Sequence, residues 1–490
     1  VEPSLHRSYE ALAGRFAAHF PTQLDGPRTV GREAEFPVVD QSGRAADVDR
    51  LWTLLLETEP AVEDGERGSL SPLKVKRDAV NPDLIVGLDG AAYSYALEVG
   101  KGTIELNVGP CTTLFELESA FRSALERLVR AAAQLSWRVL GYGAQPLSPP
   151  ARALLSPKQR YHALADIMGD DWIWYTVTAS DQTHVDVSRD EAVSVLNFAI
   201  LMAPVVVALC ANSPVVAGAL TGDCSGREGR MIGSPYGERH GIIARPYADL
   251  TDFVTRLSRM TSLLRREGER LLPDGRPFSE VLRTDYRATS EEWTLAPLSS
   301  SLSPDAFDAF LLHDHYIWHS ARLRTAYGTV ELRPACQQPP HELMAATALY
   351  LGLVEGREQI TDYIQTALAP TCEERTERSE ERVNPAPLSE CWPRMRQYHE
   401  QVVRAGLAAP EPVPGFLADI LELVAAALTR RGYGEERMLA PLWQRLEQKE
   451  NPAQRVRRVF TKEGLEGLIE FSNLENYVKE RPRPLSAPDS

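Results

Sequence analysis

At 490 residues, with 43% hydrophobic and 25% charged side chains, the chain can bury the core of one large domain plus an appendage, or of two to three ordinary domains. Its formal charge of −15 argues against an extended basic surface, so neither nucleic acid nor an anionic membrane is an expected partner. Six cysteines with no Cys-x-x-Cys pair exclude a disulfide scaffold and fit a reduced, cytoplasmic setting.

The first residues, VEPSLHRSYEALAGRF, lack the apolar core of a signal peptide, and residues 3–20 carry a helical pattern. A Pro/Gly break at 26–27 leads into an expected strand over 29–39. Residues 62–90 are mixed and loop-rich, and strands are expected near 94–99 and 103–108. Thr113 with Glu116 forms a capping box, opening a helix predicted to run to about Trp137. A short strand at 139–143, the loop QPLSPPARALLSP and a strand over 175–187 follow. Residues 193–211 are apolar enough to raise the question of a membrane span, but Ser194, Asn197 and Pro204 interrupt them. Behind a second capping box, Ser188 with Glu191, this stretch reads as a buried core helix. A Gly-rich loop covers 218–241, and helix-rich sequence continues to about Ser320. A strand over 328–334 and a helix over 341–368 come next. The expected division is a catalytic domain over 1–370, a charged linker over 371–387 (CEERTERSEERVNPAP lies here), a helical region over 388–475 and a disordered tail over 476–490.

Several strands share one habit. Residues two apart on a strand share a face. In GREAEFPVV, Glu33 and Glu35 oppose Ala34, Phe36 and Val38; in YALEVGKGTIELNV, Glu98 stands between Leu97 and Val99, and Glu105 and Asn107 oppose Ile104, Leu106 and Val108. In DQTHVDV, Gln182, His184 and Asp186 oppose Thr183 and Val185; in TVELRP, Glu331 and Arg333 oppose Val330 and Leu332. One such strand alone is as well explained by an ordinary half-exposed sheet. The set is harder to explain that way: its polar faces hold Glu33, Glu35, Glu98, Glu105 and Glu331 with one His and one Arg, and no Lys. Carboxylates converging on one sheet face repel unless cations neutralise them. Glu/His ligation with room for phosphate oxygens suits Mg²⁺ or Mn²⁺. Such ions position and neutralise a transferring phosphoryl group, and Arg333 is placed to stabilise its charge. VGKGT at 99–103 lacks the upstream glycine and the Lys-Ser/Thr order of a P-loop.

In order along residues 29–360, VGREAEF, LEVGKGTIEL, TASDQTHVDV, ANSP and VELRPA resemble the glutamate–cysteine ligase family in its plant and actinobacterial branch, which includes the γ-glutamylcysteine ligases of ergothioneine formation. The resemblance implies an α+β fold: a glutamine-synthetase-like catalytic domain with a mainly antiparallel sheet forming a funnel, flanked by helices. It also implies ATP, two or three Mg²⁺ ions, a γ-glutamyl phosphate, and small-molecule amino-acid and amine substrates. By position it makes Glu33, Glu35, Glu98, Glu105, His184 and Glu331 metal ligands. Glu331, Arg333 and Asn107 become nucleotide-side residues, and Arg333, Glu35 and Glu105 the catalytic set. Arg230, Arg239, Arg322 and Arg324 stand where the family has substrate-facing arginines. Two departures, Cys336 in place of the family's Asp and a longer Gly/Arg-rich loop at 218–241, leave the amino acid and the amine open.

Two rivals stand beside this reading. His315 and His319 in HDHYIWH lie at i, i+4 and on a helix would share a face able to bind zinc, the mark of a metal-dependent hydrolase. No Glu follows His315, so the metalloprotease motif is absent; two histidines on a helix flanking the funnel is the favoured account. A non-catalytic binding protein is the other rival, and mutually repelling carboxylates on every strand argue against it.

Overall fold

Alternation along the first strand gives the sheet its two faces: Ala34, Phe36 and Val38 are fully buried, while Glu33 and Glu35 turn to the opposite side. The computed structural model describes residues 3–58, 72–283, 304–368 and 388–480. Its main sheet contains β1 (Val30–Val39), β2 (Lys74–Arg77), β3 (Ile85–Asp89), β4 (Tyr93–Leu97), β5 (Thr103–Cys111), β6 (Arg138–Val139), β7 (Asp181–Asp186) and a hairpin, Ala321–Arg324 with Thr329–Leu332. From the hairpin the order is Ala321–Arg324, Thr329–Leu332, β7, β1, β5, β4, β3, β2, with β6 on the end of β1. Every pairing is antiparallel. The fold is therefore α+β, with the mainly antiparallel sheet that the sequence led us to expect.

Helices cover the apolar face. Leu114–Ala133 packs on β5 and β1, and Ala345–Glu355 packs on β7. The later helices belong to the same core: Leu388–Ala405 lies against Ala203–Cys210, and Phe416–Arg431 lies against Ala345–Glu355. Within this apolar layer sits one ion pair that strand alternation does not announce. Arg32 and Asp181, both with fully buried side chains, meet through two contacts of 2.8 Å. The guanidinium also donates to the Leu343 carbonyl at 2.7 Å and lies 4.0 Å from the centre of the Phe121 ring.

The capping box at Thr113 is present: Thr113 Oγ1 accepts from the Glu116 N–H at 3.2 Å, and the Glu116 carboxylate accepts from the Thr113 N–H at 3.3 Å. Thr113→Ala is expected to cost about 1 kcal/mol, within about 0.5–2, in denaturant unfolding, with Thr113→Ser close to unaltered protein. The box at Ser188 is only half formed. Glu191 accepts from the Ser188 N–H at 2.9 Å but also binds Arg28, and the helix starts at Ala192.

Several expected elements are shorter or broken. The stretch at 193–211 is two helices, Ala192–Leu201 and Ala203–Cys210, bent by 44°. Pro204 opens the second, where its missing N–H costs nothing. Among the described residues no single helix is long and apolar enough to cross a membrane. The helix over 341–368 is likewise two, Ala345–Glu355 and Arg357–Ala367, parted at Gly356. The strand expected over 175–187 starts only at Asp181, because Trp174–Val177 forms a 3₁₀ turn, and the strand at 139–143 shrinks to Arg138–Val139. The helix-rich region before Ser320 also holds a hairpin, Leu264–Glu267 with Arg270–Pro273. The expected linker at 371–387 lies outside the described residues. Of the expected tail, 481–490 also lies outside them, while Glu475–Lys479 is helical.

Candidate active site

The polar face of the sheet walls a cavity of about 890 Å³. Strand register assembles its floor. Glu35 on β1 lies opposite Glu105 on β5, Glu33 lies opposite Gln182 on β7, and His184 lies opposite Glu331 on the hairpin. Two groups of potential cation ligands result, Glu33/His184/Glu331 and Glu35/Glu98/Glu105, each with ligand atoms within 4.8 Å of one another.

The two groups differ in what surrounds them. In the first, His184 Nε2 is 2.9 Å from Glu33 Oε1, and its Nδ1 is 3.0 Å from Thr329 Oγ1, a partner that fixes the ring's orientation. Glu331, fully buried, accepts two contacts from Arg322 at 2.7 and 2.9 Å. It also takes one from Arg324 at 3.2 Å and one from Arg333. Burial alone would raise the Glu331 carboxyl, but Arg322, Arg333 and Arg324 hold it well below the usual range. Burial likewise works against Glu33, and His184 brings it below its ordinary value.

In the second group, Glu35 accepts from the Ser180 N–H at 2.7 Å and from Gln182 at 3.1 Å, and Glu105 accepts from Asn107 at 2.8 Å. Among the described residues no Lys or Arg is hydrogen-bonded to Glu35, Glu98 or Glu105. Burial, and then the charge of Glu98, push Glu35 up to about 7; burial and Glu98 push Glu105 well above the carboxylate range. Asn107 Oδ1 is buried without a partner. Three crowded carboxylates with no cation in contact, and an orphaned amide oxygen beside them, fit a hard divalent ion with oxygen ligands. The first group, a His and two carboxylates with arginines alongside, fits one that also meets phosphate oxygens.

Most residues singled out in the sequence are brought together here. Glu33, Glu35, Glu98, Glu105, Asn107, His184, Arg322, Arg324 and Arg333 line the cavity, with Glu331 buried beneath its arginines. Glu98 does so from just past the end of β4: Lys158 takes the Leu97 carbonyl and Ser156 that of Glu98, where a strand would have continued.

Arg230 and Arg239 do not line the cavity, which corrects their expected substrate-facing position. Arg230 is held by Asp171 at 2.8 Å, and buried Arg239 donates to the carbonyls of Tyr316 and Thr261. Arg239 thus pins loop backbone, and Arg230 ties its segment to the short helix Asp170–Ile173. The zinc pair is also corrected. The helix Pro304–His315 ends at His315, so His319 stands on a separate strand, Trp318–His319, 3.0 Å from the Glu238 carbonyl. Of the two, only His315 reaches the cavity.

Lys158, Arg160 and an aromatic wall of Tyr161, Trp172, Tyr316 and Trp318 also line the cavity. Strand alternation does not mark them: Lys158 precedes a helix, Arg160, Tyr161 and Trp172 lie within helices, Tyr316 follows a helix end, and Trp318 stands on a strand of only two residues, too short to show a period.

A wide antiparallel sheet, helices on one face and a carboxylate-lined cavity on the other, defines a glutamine-synthetase-like catalytic fold. The crystal structure of glutamate–cysteine ligase from Francisella tularensis in complex with AMP shares it, with a TM-score of 0.51 and 11% identity, covering 94% of this chain and 89% of that one. A Rhodococcus jostii protein provisionally named glutamate–cysteine ligase 2-1 is 32% identical over 184 residues, 37% of this chain and 46% of that protein. A Mycolicibacterium smegmatis protein provisionally named glutamate–cysteine ligase 2-2 is 30% identical over 196 residues, 38% and 39% respectively. A Ralstonia pickettii protein provisionally named glutamate–cysteine ligase 2 is 28% identical over 166 residues, 33% and 43% respectively. The chain thus spans less than half the length of each of these three relatives. The profile of glutamate–cysteine ligase family 2 matches residues 29–471, and the chain belongs to that family.

Proposed function

We propose that the chain is an ATP- and Mg²⁺-dependent ligase that phosphorylates a carboxylate, the γ-carboxylate of glutamate first among candidates, and couples it to an amine such as that of cysteine. The observation that carries this reading is the pair of ligand groups side by side on one sheet face, with three arginines around only one of them. In the first step a carboxylate oxygen attacks the γ-phosphorus and ADP leaves. In the second, the amine nitrogen attacks the acyl carbon, phosphate leaves, and the amine gives up a proton. Divalent ions at such donor sets neutralise and align phosphate oxygens.

The chain's own residues do the rest. Arg322 and Arg324 hold Glu331 in place, Thr329 orients His184, and Asn107 orients Glu105. Arg333, between Glu331 and Gln182, meets the charge that grows on the transferring phosphoryl group. Its truncation removes an interaction felt chiefly in the transition state. Arg333→Ala is therefore expected to lower kcat by about 100- to 1,000-fold while changing the KM for the carboxylate far less, as steady-state ADP release would show.

The reading is tested by ADP release with glutamate and a panel of amines, cysteine first, followed by mass spectrometry of the adduct. It predicts a product equal to the two substrates less one water. No ADP release with any pair at saturating Mg·ATP would remove it.

A further inference from the structure

We infer that Tyr327 is the platform on which the base of the nucleotide stacks, at the rim of the cavity next to the Glu33/His184/Glu331 group. This rests on the ligase reading above and adds to it where the nucleoside leaves the site and which side chain holds it.

The cavity's two ends differ in charge. Arg322, Arg324 and Arg333 all pair directly with Glu331, whereas Glu35, Glu98 and Glu105 crowd one another and their basic neighbours are engaged elsewhere, Lys158 with the Leu97 carbonyl and Arg160 with the Tyr161 hydroxyl. A polyphosphate, strongly negative, is accommodated where arginines stand alongside the ligand group. The strand register then fixes the nearest exit. Glu331 faces His184, and two residues further along, on the same side of the sheet, Thr329 faces Asp186. At about 3.4 Å per residue the rim lies about 7 Å from the ligand group.

Tyr327 stands in the hairpin turn at that rim. Its N–H is bound to the Arg324 carbonyl at 3.1 Å, and its ring lies perpendicular to the His184 ring, centroids 5.6 Å apart. The side chain is 65% exposed. It lines the cavity, the one strongly exposed large apolar or aromatic side chain among the described residues to do so. A ring anchored by its backbone and by one neighbour, with a face open to solvent, is what stacking on a flat heterocycle requires.

At the opposite end Tyr161, Trp172 and Tyr316 are buried, and Trp318, partly exposed, is already stacked on the His240 ring with centroids 5.2 Å apart. Trp172 is 4% exposed and packs 5.8 Å from Tyr161 and 5.6 Å from Trp318. They form a wall.

Calorimetric titration of the full chain with Mg·ATP and with Mg·tripolyphosphate, which lacks a base, tests the assignment. The unaltered chain should bind Mg·ATP more tightly than Mg·tripolyphosphate. Tyr327→Ala should weaken Mg·ATP about 5- to 150-fold, the range of base–aromatic stacking, and leave Mg·tripolyphosphate unchanged. Tyr327→Phe, which keeps the ring, should retain the affinity for Mg·ATP. Unchanged Mg·ATP binding in Tyr327→Ala, or equal losses for both ligands, would overturn this assignment and leave the ligase reading standing. Failure of the unaltered chain to bind Mg·ATP would overturn both.

Discussion

Glu105→Gln is expected to lower ADP release on the order of 1,000-fold, because a divalent ion supplies several kcal/mol of charge stabilisation and each 1.4 kcal/mol is tenfold in rate. In metal-free protein the same substitution is expected to raise the melting temperature. The two effects have one cause. Glu105 is crowded by Glu98 and Glu33, so its charge destabilises the fold unless a cation is present, and removing that charge relieves the repulsion but also removes a ligand. A residue with a purely structural role would lose stability together with activity.

A pH dependence goes with it. Glu35 titrates at about 7 in the folded chain against an ordinary 4.5, and Glu105 is shifted the same way. Between those values these groups hold more protons in the folded state than in the unfolded one. The stability these two groups contribute is lost from about pH 4.5 to about pH 7, while buried His313 and His319, lowered to about 3 and about 4, act in the opposite direction below the ordinary histidine value of 6.5. The gain in melting temperature of metal-free Glu105→Gln over the unaltered chain is therefore expected to grow from pH 5 to pH 7, and to shrink when Mg²⁺ is added. Paired thermal melts at pH 5, 6 and 7, with chelator and with Mg²⁺, check this; a gain in chelator that shrinks as pH rises would refute it.

The largest expected loss of stability lies elsewhere. Asp181→Ala leaves Arg32 charged and buried in the apolar layer, at an expected cost of about 3–5 kcal/mol. The carbonyl of Leu343 and the face of Phe121 remain as neighbours, but neither carries a compensating charge. The double replacement Arg32→Met with Asp181→Leu should cost much less, because it removes both charges and keeps apolar volume. Denaturant midpoints for the single and double variants measure the difference. An additive loss in the double variant would contradict the account.

What the sequence made legible follows from the period of two. Glu33 and Glu35, Glu105 and Asn107, His184 and Glu331 all sit on regular strand, where alternation alone assigns a face, and the structure gathers them in one cavity. Legibility ended where the backbone leaves that period. Glu98, just past the end of its strand, was still marked by Leu97 and Val99 on either side, but Lys158 and Arg160 enter from a loop and a helix start. Tyr327 is in a turn. Arg32 and Asp181 lie on the apolar face, where a polar-face search does not look. His319 was misplaced because HDHYIWH carries a helical spacing through a point where the helix ends. Arg230 and Arg239 show a further limit: spacing reveals a basic residue but not whether carbonyls or a carboxylate already hold it. The breaks near Pro204 and at Gly356 follow from local chemistry that long apolar runs conceal.

The claim on which everything else depends is that carboxylates from separate strands share divalent ions within one cavity. Anomalous scattering from crystals grown with Mn²⁺ and a non-hydrolysable ATP analogue tests it directly. The account predicts at least two manganese peaks, one among Glu33, His184 and Glu331 and one among Glu35, Glu98 and Glu105. Saturating Mn²⁺ with no peak at either group would contradict it.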